Sequence, residues 1–170
     1  TLSRYFAFFL FCICTITTTI NAIDHSHEEF SEILKKYTSN GFVDYKRLKE
    51  DPSRLKAYLA SLSTVSEDQF GSFTTQEQIA FLINLYNSAT LQLIIDHYPI
   101  KTIRDIGWFW FYKGPWHQDF IFLFGELTNL NHIEHELLRR NYTEPRIHFA
   151  LVCAAQSCPQ LRHEPYTAEK

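Results

Sequence analysis

Methionine is absent from the 170-residue chain, glycine occurs five times and cysteine four times. The missing methionine makes Thr1 read as a truncated start. So few glycines exclude a collagen-like or glycine-loop architecture. Neither GxxxxGK[ST] nor GxGxxG occurs, which removes the commonest nucleotide-binding fingerprints. GxSxG is missing, so a serine-hydrolase elbow is unsupported, and neither the thioredoxin-like CxxC nor HExxH is found. A basic excess is lacking as well. The 16 Lys and Arg against 19 Asp and Glu give a net charge of −3, and neutralising phosphates needs clustered cations, so no nucleic-acid partner is expected. What the chain does have is apolar material: 45% hydrophobic residues, among them 27 aromatics (3 Trp, 9 Tyr, 15 Phe). That suffices to bury the core of one domain and is too little for two comfortable ones.

Arg4 is the only charge before Asp24, and an apolar run from Tyr5 to Cys14 leads through threonines to Ile20-Asn21-Ala22. A positive start, an apolar stretch and a small residue at the end describe a secretory signal over residues 1–22, cleaved after Ala22. The rival, an uncleaved anchor, is the one membrane association considered, but the apolar run is too short to span ~30 Å of hydrocarbon. Neither Cys12 nor Cys14 follows a small residue, which disfavours a lipoprotein signal. The expectation is export to a periplasmic or extracellular space. Cleavage takes Arg4 with it, moving the net charge from −3 to −4. It leaves Cys153 and Cys158 as a candidate disulfide. Closing so short a loop contributes about 2 kcal/mol in the chain-entropy account. Asn141-Tyr142-Thr143 is a glycosylation sequon, relevant in a eukaryotic source.

Beyond the signal, residues 23–74 read as a helical lead-in. Phe30, Ile33, Leu34 and Tyr37 share one helical face over residues 25–39, with Asn40-Gly41 as the stop. Phe42–Tyr45 is extended, and Leu48, Leu55, Tyr58, Leu59 and Leu62 mark another helix with Pro52 in its first turn. Residues 64–74 read as a polar loop. Thr74 or Thr75 then caps a helix from about Gln76 to His97, ended by Tyr98-Pro99. Its apolar residues cover the whole circumference, the mark of a buried central helix or a membrane span. Asn84, Asn87, Ser88 and Gln92 disfavour the span and form a polar notch. The notch is satisfied by internal hydrogen bonds to loop backbone or lines a ligand site. The aromatic run Trp108–Tyr112 is core or a pocket wall. Phe120–Leu127 predicts a hairpin, and Thr128 or Asn129 caps a helix to Arg140, with Glu136 and Arg140 as a surface pair.

Cys153, Cys158 and His148 lie close in sequence. An imidazole beside a thiol favours the thiolate, the attacking form. Five residues separate His148 from Cys153, so the two meet only if the backbone turns between them. His132 and His135 share a helix face and, with Cys153, make a possible metal set. Glu134 or His135 can instead orient His148, as a carboxylate holds a catalytic imidazole.

QIAFLINLYNSATLQLIIDHYPIKTIRDIG, GPW, LNHIEHELLR and EPRIHFALVCAAQSCPQLRHEPYTAEK, in that order over about residues 75–170, resemble the domain of unknown function 547 family. The N-x-x-N motif falls on Asn84 and Asn87, I-E-H on Ile133–His135, R-I-H-F-A-L-x-C on Arg146–Cys153 and S-C-P on Ser157–Pro159. Val152 stands where members usually carry Asn, which weakens any site using that amide. The resemblance implies a mixed, mainly helical domain without an established activity, continuing past the Y-T-A-E-K stretch. It also gathers the polar notch, Glu134-His135 and His148-Cys153 into one signature, so these groups are expected to converge on one cleft.

The sequence therefore predicts an α+β, mainly helical single domain with a small β-hairpin or sheet, truncated at its C-terminal side. Its parts are a signal peptide (1–22), the lead-in (23–74) and the incomplete family domain (75–170). The leading functional expectation is a thiol-dependent hydrolase or acyl transferase. Cys153 is its nucleophile, His148 its base, Glu134 or His135 the orienting group, and Asn84, Asn87 and Arg146 hold an unknown small-molecule or peptide ligand. No cofactor or resident metal is called for. The alternative is a non-enzymatic binding module with a structural Cys153–Cys158 disulfide.

Overall fold

The computed structural model describes residues 23–107, 114–154 and 159–170. The proposed signal, the Trp108–Tyr112 run and Cys158 lie outside the described residues. Among the described residues the fold is mainly helical, with two small antiparallel two-stranded sheets.

Helix α1 (Glu28–Tyr37) buries Phe30, Ile33, Leu34 and Tyr37, the face its apolar spacing predicts. The Asn40-Gly41 pair does not stop this helix. Both residues have positive φ (50° and 78°) and turn a hairpin between β1 (Thr38–Ser39) and β2 (Phe42–Val43). Asn-Gly suits the tight turns that need left-handed residues. The helix expected around Pro52 is two helices, α2 (Tyr45–Glu50) and α3 (Ser53–Ser63), with Pro52 at the cap of the second. The loop expected at 64–74 contains a short helix, α4 (Glu67–Gly71). Ser66 and Gln69 form a capping box there that carries no apolar periodicity to announce it.

The central element is α5 (Thr75–His97), in which every residue from Ala80 to Ile95 is buried. It is long and apolar enough to cross a membrane, yet its apolar surface is covered by protein. It packs against α2, α3 and the helical segment at residues 130–139. Thr74 caps it by accepting from the Glu77 amide at 3.3 Å, while the Glu77 carboxylate accepts from the Thr74 amide at 2.8 Å. Thr74→Ala is expected to cost about 1 kcal/mol, measured as a lower urea midpoint.

The predicted hairpin is β3 (Ile121–Leu123) and β4 (Glu126–Thr128), with Phe122 opposite Leu127 and Phe124-Gly125 in the turn. The Asn129 carboxamide then accepts from the His132 amide at 2.9 Å to cap α6 (Leu130–His132). The same rod continues as a π-helix over Ile133–Arg139, wider than the α-helix its sequence suggests. Glu136 and Arg140 make the expected surface pair at 2.9 Å. The last helix is the single turn α7 (Ile147–Ala150).

The N-terminal edge holds a buried imidazole. His27, at φ 51°, is 2% exposed; its Nδ1 lies 2.7 Å from the Tyr58 hydroxyl, and its Nε2 has no partner. Tyr58 in turn stacks on Phe30 at 5.0 Å, so the imidazole is part of the seam between α1 and α3. Burial pushes its pKa down to about 4.

Candidate functional site

Three of the four polar side chains in the notch of α5 are spent on backbone. Asn87, 2% exposed, donates through Nδ2 to the Ala150 carbonyl at 3.0 Å and accepts through Oδ1 from the Val152 amide at 2.9 Å. Asn84, fully buried, donates to the Tyr166 carbonyl at 2.7 Å and accepts from the Tyr166 amide at 3.0 Å. Each carboxamide thus mimics a strand neighbour for a segment remote in sequence. Ser88 donates to the Asn84 carbonyl at 2.7 Å, and Gln92 donates to the Asp96 carboxylate at 2.7 Å. Of the two readings the sequence leaves open for the notch, the hydrogen bonds of Asn84, Asn87 and Ser88 are those of internal satisfaction, while Gln92 Oε1 is buried without a partner.

Glu134 and His148 do meet, but through Arg139. Its Nη2 is 2.9 Å from Glu134 Oε1 and 2.7 Å from His148 Nδ1. Behind Glu134 stands the hydroxyl of buried Tyr86, held well above its ordinary pKa by burial and then by the Glu134 charge. Residues five apart lie about 140° around an α-helix, which is why Arg139 is not legible as a partner of Glu134. In a π-helix the hydrogen bonds link i and i+5, so the two side chains fall on one side. Guanidinium has donors only, so His148 Nδ1 is the acceptor, and the neutral ring carries its proton on Nε2. A base for Cys153 in the expected manner would need that tautomer reversed or a different ring rotation.

Cys153 is half-buried. His135 is exposed on the π-helix and takes no part in the Glu134–Arg139–His148 chain. The metal set considered for His132, His135 and Cys153 is not assembled: among the described residues no three His, Cys, Asp or Glu side chains gather.

Arg146 lies at the rim of a cleft of about 380 Å³. Its floor is Ile79, Ala80 and Ile83 of α5 with Ile147 and Ala150 of α7, and its wall is Tyr166. Three cations edge it. Arg146 makes three hydrogen bonds to Glu144, of 2.9, 2.9 and 2.7 Å, which hold the Glu144 carboxyl at about 2. Lys170 and Arg162 both bind Glu164 and bring it to about 2 as well. The Arg162 guanidinium also lies 4.8 Å over the Tyr166 ring. Arg162, Tyr166 and Lys170 are missed by sequence reading as site residues, although they lie in the last stretch that carries the family resemblance. A shallower depression of about 480 Å³ adjoins the cleft, sharing Glu144 and Ile147 and lined also by Arg139 and His148.

The chain belongs to the family described as protein of unknown function, DUF547, whose model matches residues 70–170. That span takes in α5, the π-helix, α7 and both concavities. No curated protein and no solved structure matches the chain.

Proposed function

We propose that this chain is an exported, non-enzymatic binding module whose cleft takes a small amphipathic anion, with Cys153 and Cys158 in a structural disulfide. The observation that carries the reading is the cleft itself: an apolar floor with Arg146, Arg162 and Lys170 at its edge. An apolar body desolvates against Ile79, Ile83 and Ile147, while a charged head competes with Glu144 and Glu164 for the guanidinium groups. Binding is favoured over thiol catalysis because the residues expected to do the chemistry have other occupations. Asn84 and Asn87 hold backbone, and His148 receives a hydrogen bond where a base would carry its proton. Export rests on the N-terminal sequence pattern and agrees with a disulfide, which persists in oxidising compartments.

The test uses anilinonaphthalene sulfonate, an aromatic anion, as a fluorescent probe on the untagged chain. The double variant Arg146→Glu/Arg162→Glu is expected to weaken its binding roughly tenfold, since charge-assisted contacts are lost and repulsion gained. Unchanged binding overturns the cleft assignment. In parallel, intact mass is expected to rise by two hydrogen atoms on reduction, with iodoacetamide labelling Cys153 only after reductant. Rapid labelling at neutral pH without reductant overturns the structural disulfide and returns the thiol-enzyme reading to first place.

A further inference from the structure

We propose that the N-terminus left by signal cleavage is a binding site for Cu(II), built from the Ile23 amine, the Asp24 and His25 backbone nitrogens and His25 Nδ1. The site rests on the export reading, because the amine at Ile23 exists only once the signal is removed after Ala22.

The sequence supplies the first observation. Cleavage after Ala22 puts Ile23-Asp24-His25 at the start of the chain. A histidine in third position lets its Nδ1, the terminal amine and the two intervening amide nitrogens close fused chelate rings in one plane. A square of nitrogens is the geometry of Cu(II), and less strongly of Ni(II), whereas Zn(II) asks for a tetrahedron. A histidine one place earlier or later cannot close the same plane.

The structure supplies the second. The Asp24 and His25 amides donate to no group among the described residues, so the nitrogens that must lose a proton to bind are not committed elsewhere. The turn they belong to is held through other atoms. The Asp24 carboxylate accepts from the Ser26 and Glu28 amides at 2.9 and 3.0 Å, and its carbonyl accepts from the His27 amide at 3.1 Å. None of those atoms is a ligand in the proposed set.

The fold also separates the two histidines of this segment. His27 is buried, with Nδ1 against the Tyr58 hydroxyl. The His25 side chain is 34% exposed, edge-on to Phe73 at 4.5 Å, and its Nδ1 stands 3.9 Å from a Glu77 oxygen, beyond hydrogen-bond reach. Turning that nitrogen toward a metal gives up only a loose surface contact. Ile23 is half-buried against the core, so its nitrogen lies at the edge of the packed domain rather than on a distant tail. Most of the ligands are backbone atoms, which is why no cluster of described side chains marks the site.

The test has two arms. In the first, the full chain behind an initiating methionine is produced in an exporting host, and sequencing of the purified protein is expected to begin at Ile23. In the second, a chain released by a protease to begin at Ile23 is titrated with copper sulfate and followed by visible absorption and electron paramagnetic resonance. Saturation at a single equivalent is expected, with the violet band and nitrogen hyperfine pattern of a square-planar nitrogen set. A chain begun at Ala22 keeps every side chain of the domain and moves His25 to fourth place; it is expected to lose that signature while its thermal melt is unchanged. His25→Gln is expected to lose the signature as well. An Ile23 chain without the signature, or an Ala22 chain that keeps it, overturns the copper site whatever becomes of the signal. A first residue other than Ile23 overturns it through failure of the cleavage instead, and the titration then reports that failure apart from the metal chemistry.

Discussion

Replacing Asn87 with alanine is expected to lower the stability of the fold by about 3 kcal/mol, or about 10 °C in Tm for a chain of this size. The side chain is 2% exposed and serves two backbone groups at once, the Ala150 carbonyl and the Val152 amide. Alanine leaves both without their partner, and each such group costs about 1–3 kcal/mol when water cannot reach it. The size of the effect separates this role from a ligand-facing one, in which an Asn→Ala change costs activity and little stability. Asn87→Asp is the sharper control. It is nearly isosteric and keeps the acceptor for Val152, but it turns a second acceptor on the Ala150 carbonyl and buries a charge, so it is expected to be at least as damaging. Asn84→Ala, by the same reasoning at Tyr166, is expected to match it. Urea melts by circular dichroism read all three.

Acid is expected to loosen the N-terminal edge before it affects the carboxylate pairs. Burial holds His27 at about 4, against 6.5 for the free side chain. The unfolded chain therefore takes up a proton that the folded chain refuses. Stability is fully present above pH 6.5, falls as the pH drops through that value, and stops falling on this account below about 4. The whole loss amounts to about 3 kcal/mol. The charged groups that bear on the ring are Asp24, which favours the proton, and His25, which opposes it; desolvation outweighs both. Glu144 and Glu164, held at about 2, lose their contribution in a lower window, below the ordinary carboxylate value of 4.5. His27→Gln is therefore expected to flatten the curve between pH 6.5 and 4 while leaving the steeper fall at lower pH in place. A variant whose stability keeps the wild-type slope in the upper window places the titration elsewhere.

The helices were legible where periodicity and capping agreed. Phe30 to Tyr37 and the Thr74-capped α5 are the clearest cases, because a single strong pattern and a chemical stop specify each. Three features were not legible, each for a physical reason. Asn40-Gly41 serves a helix end and a hairpin turn equally well, and only the pairing of Thr38 with Val43 decides between them. The π-helix is invisible because Ile133, Leu137 and Leu138 satisfy an α-helical pattern, so the meeting of Glu134 with Arg139 has no signature in spacing. The cleft walls come from α5, α7 and residues 162–170, and no local pattern reports that these segments converge. At the candidate site, sequence reading picks out Asn84, Asn87, Glu134, Arg146, His148 and Cys153. It misses Arg139, whose guanidinium sets the proton position on His148. The polar identity of α5 was readable, while its use as a scaffold depends on backbone more than sixty residues away.

That use bears on how the cleft can move. Asn84 and Asn87 stand one turn apart on the same helix and fasten two different walls, Tyr166 and the end of α7. Neither wall has a hinge of its own, since drawing one back means breaking paired carboxamide bonds inside the protein. A ligand entering this slot meets a surface already ordered, and little conformational entropy remains to be lost on association. Selectivity then follows from fit at entry rather than from closure around the guest.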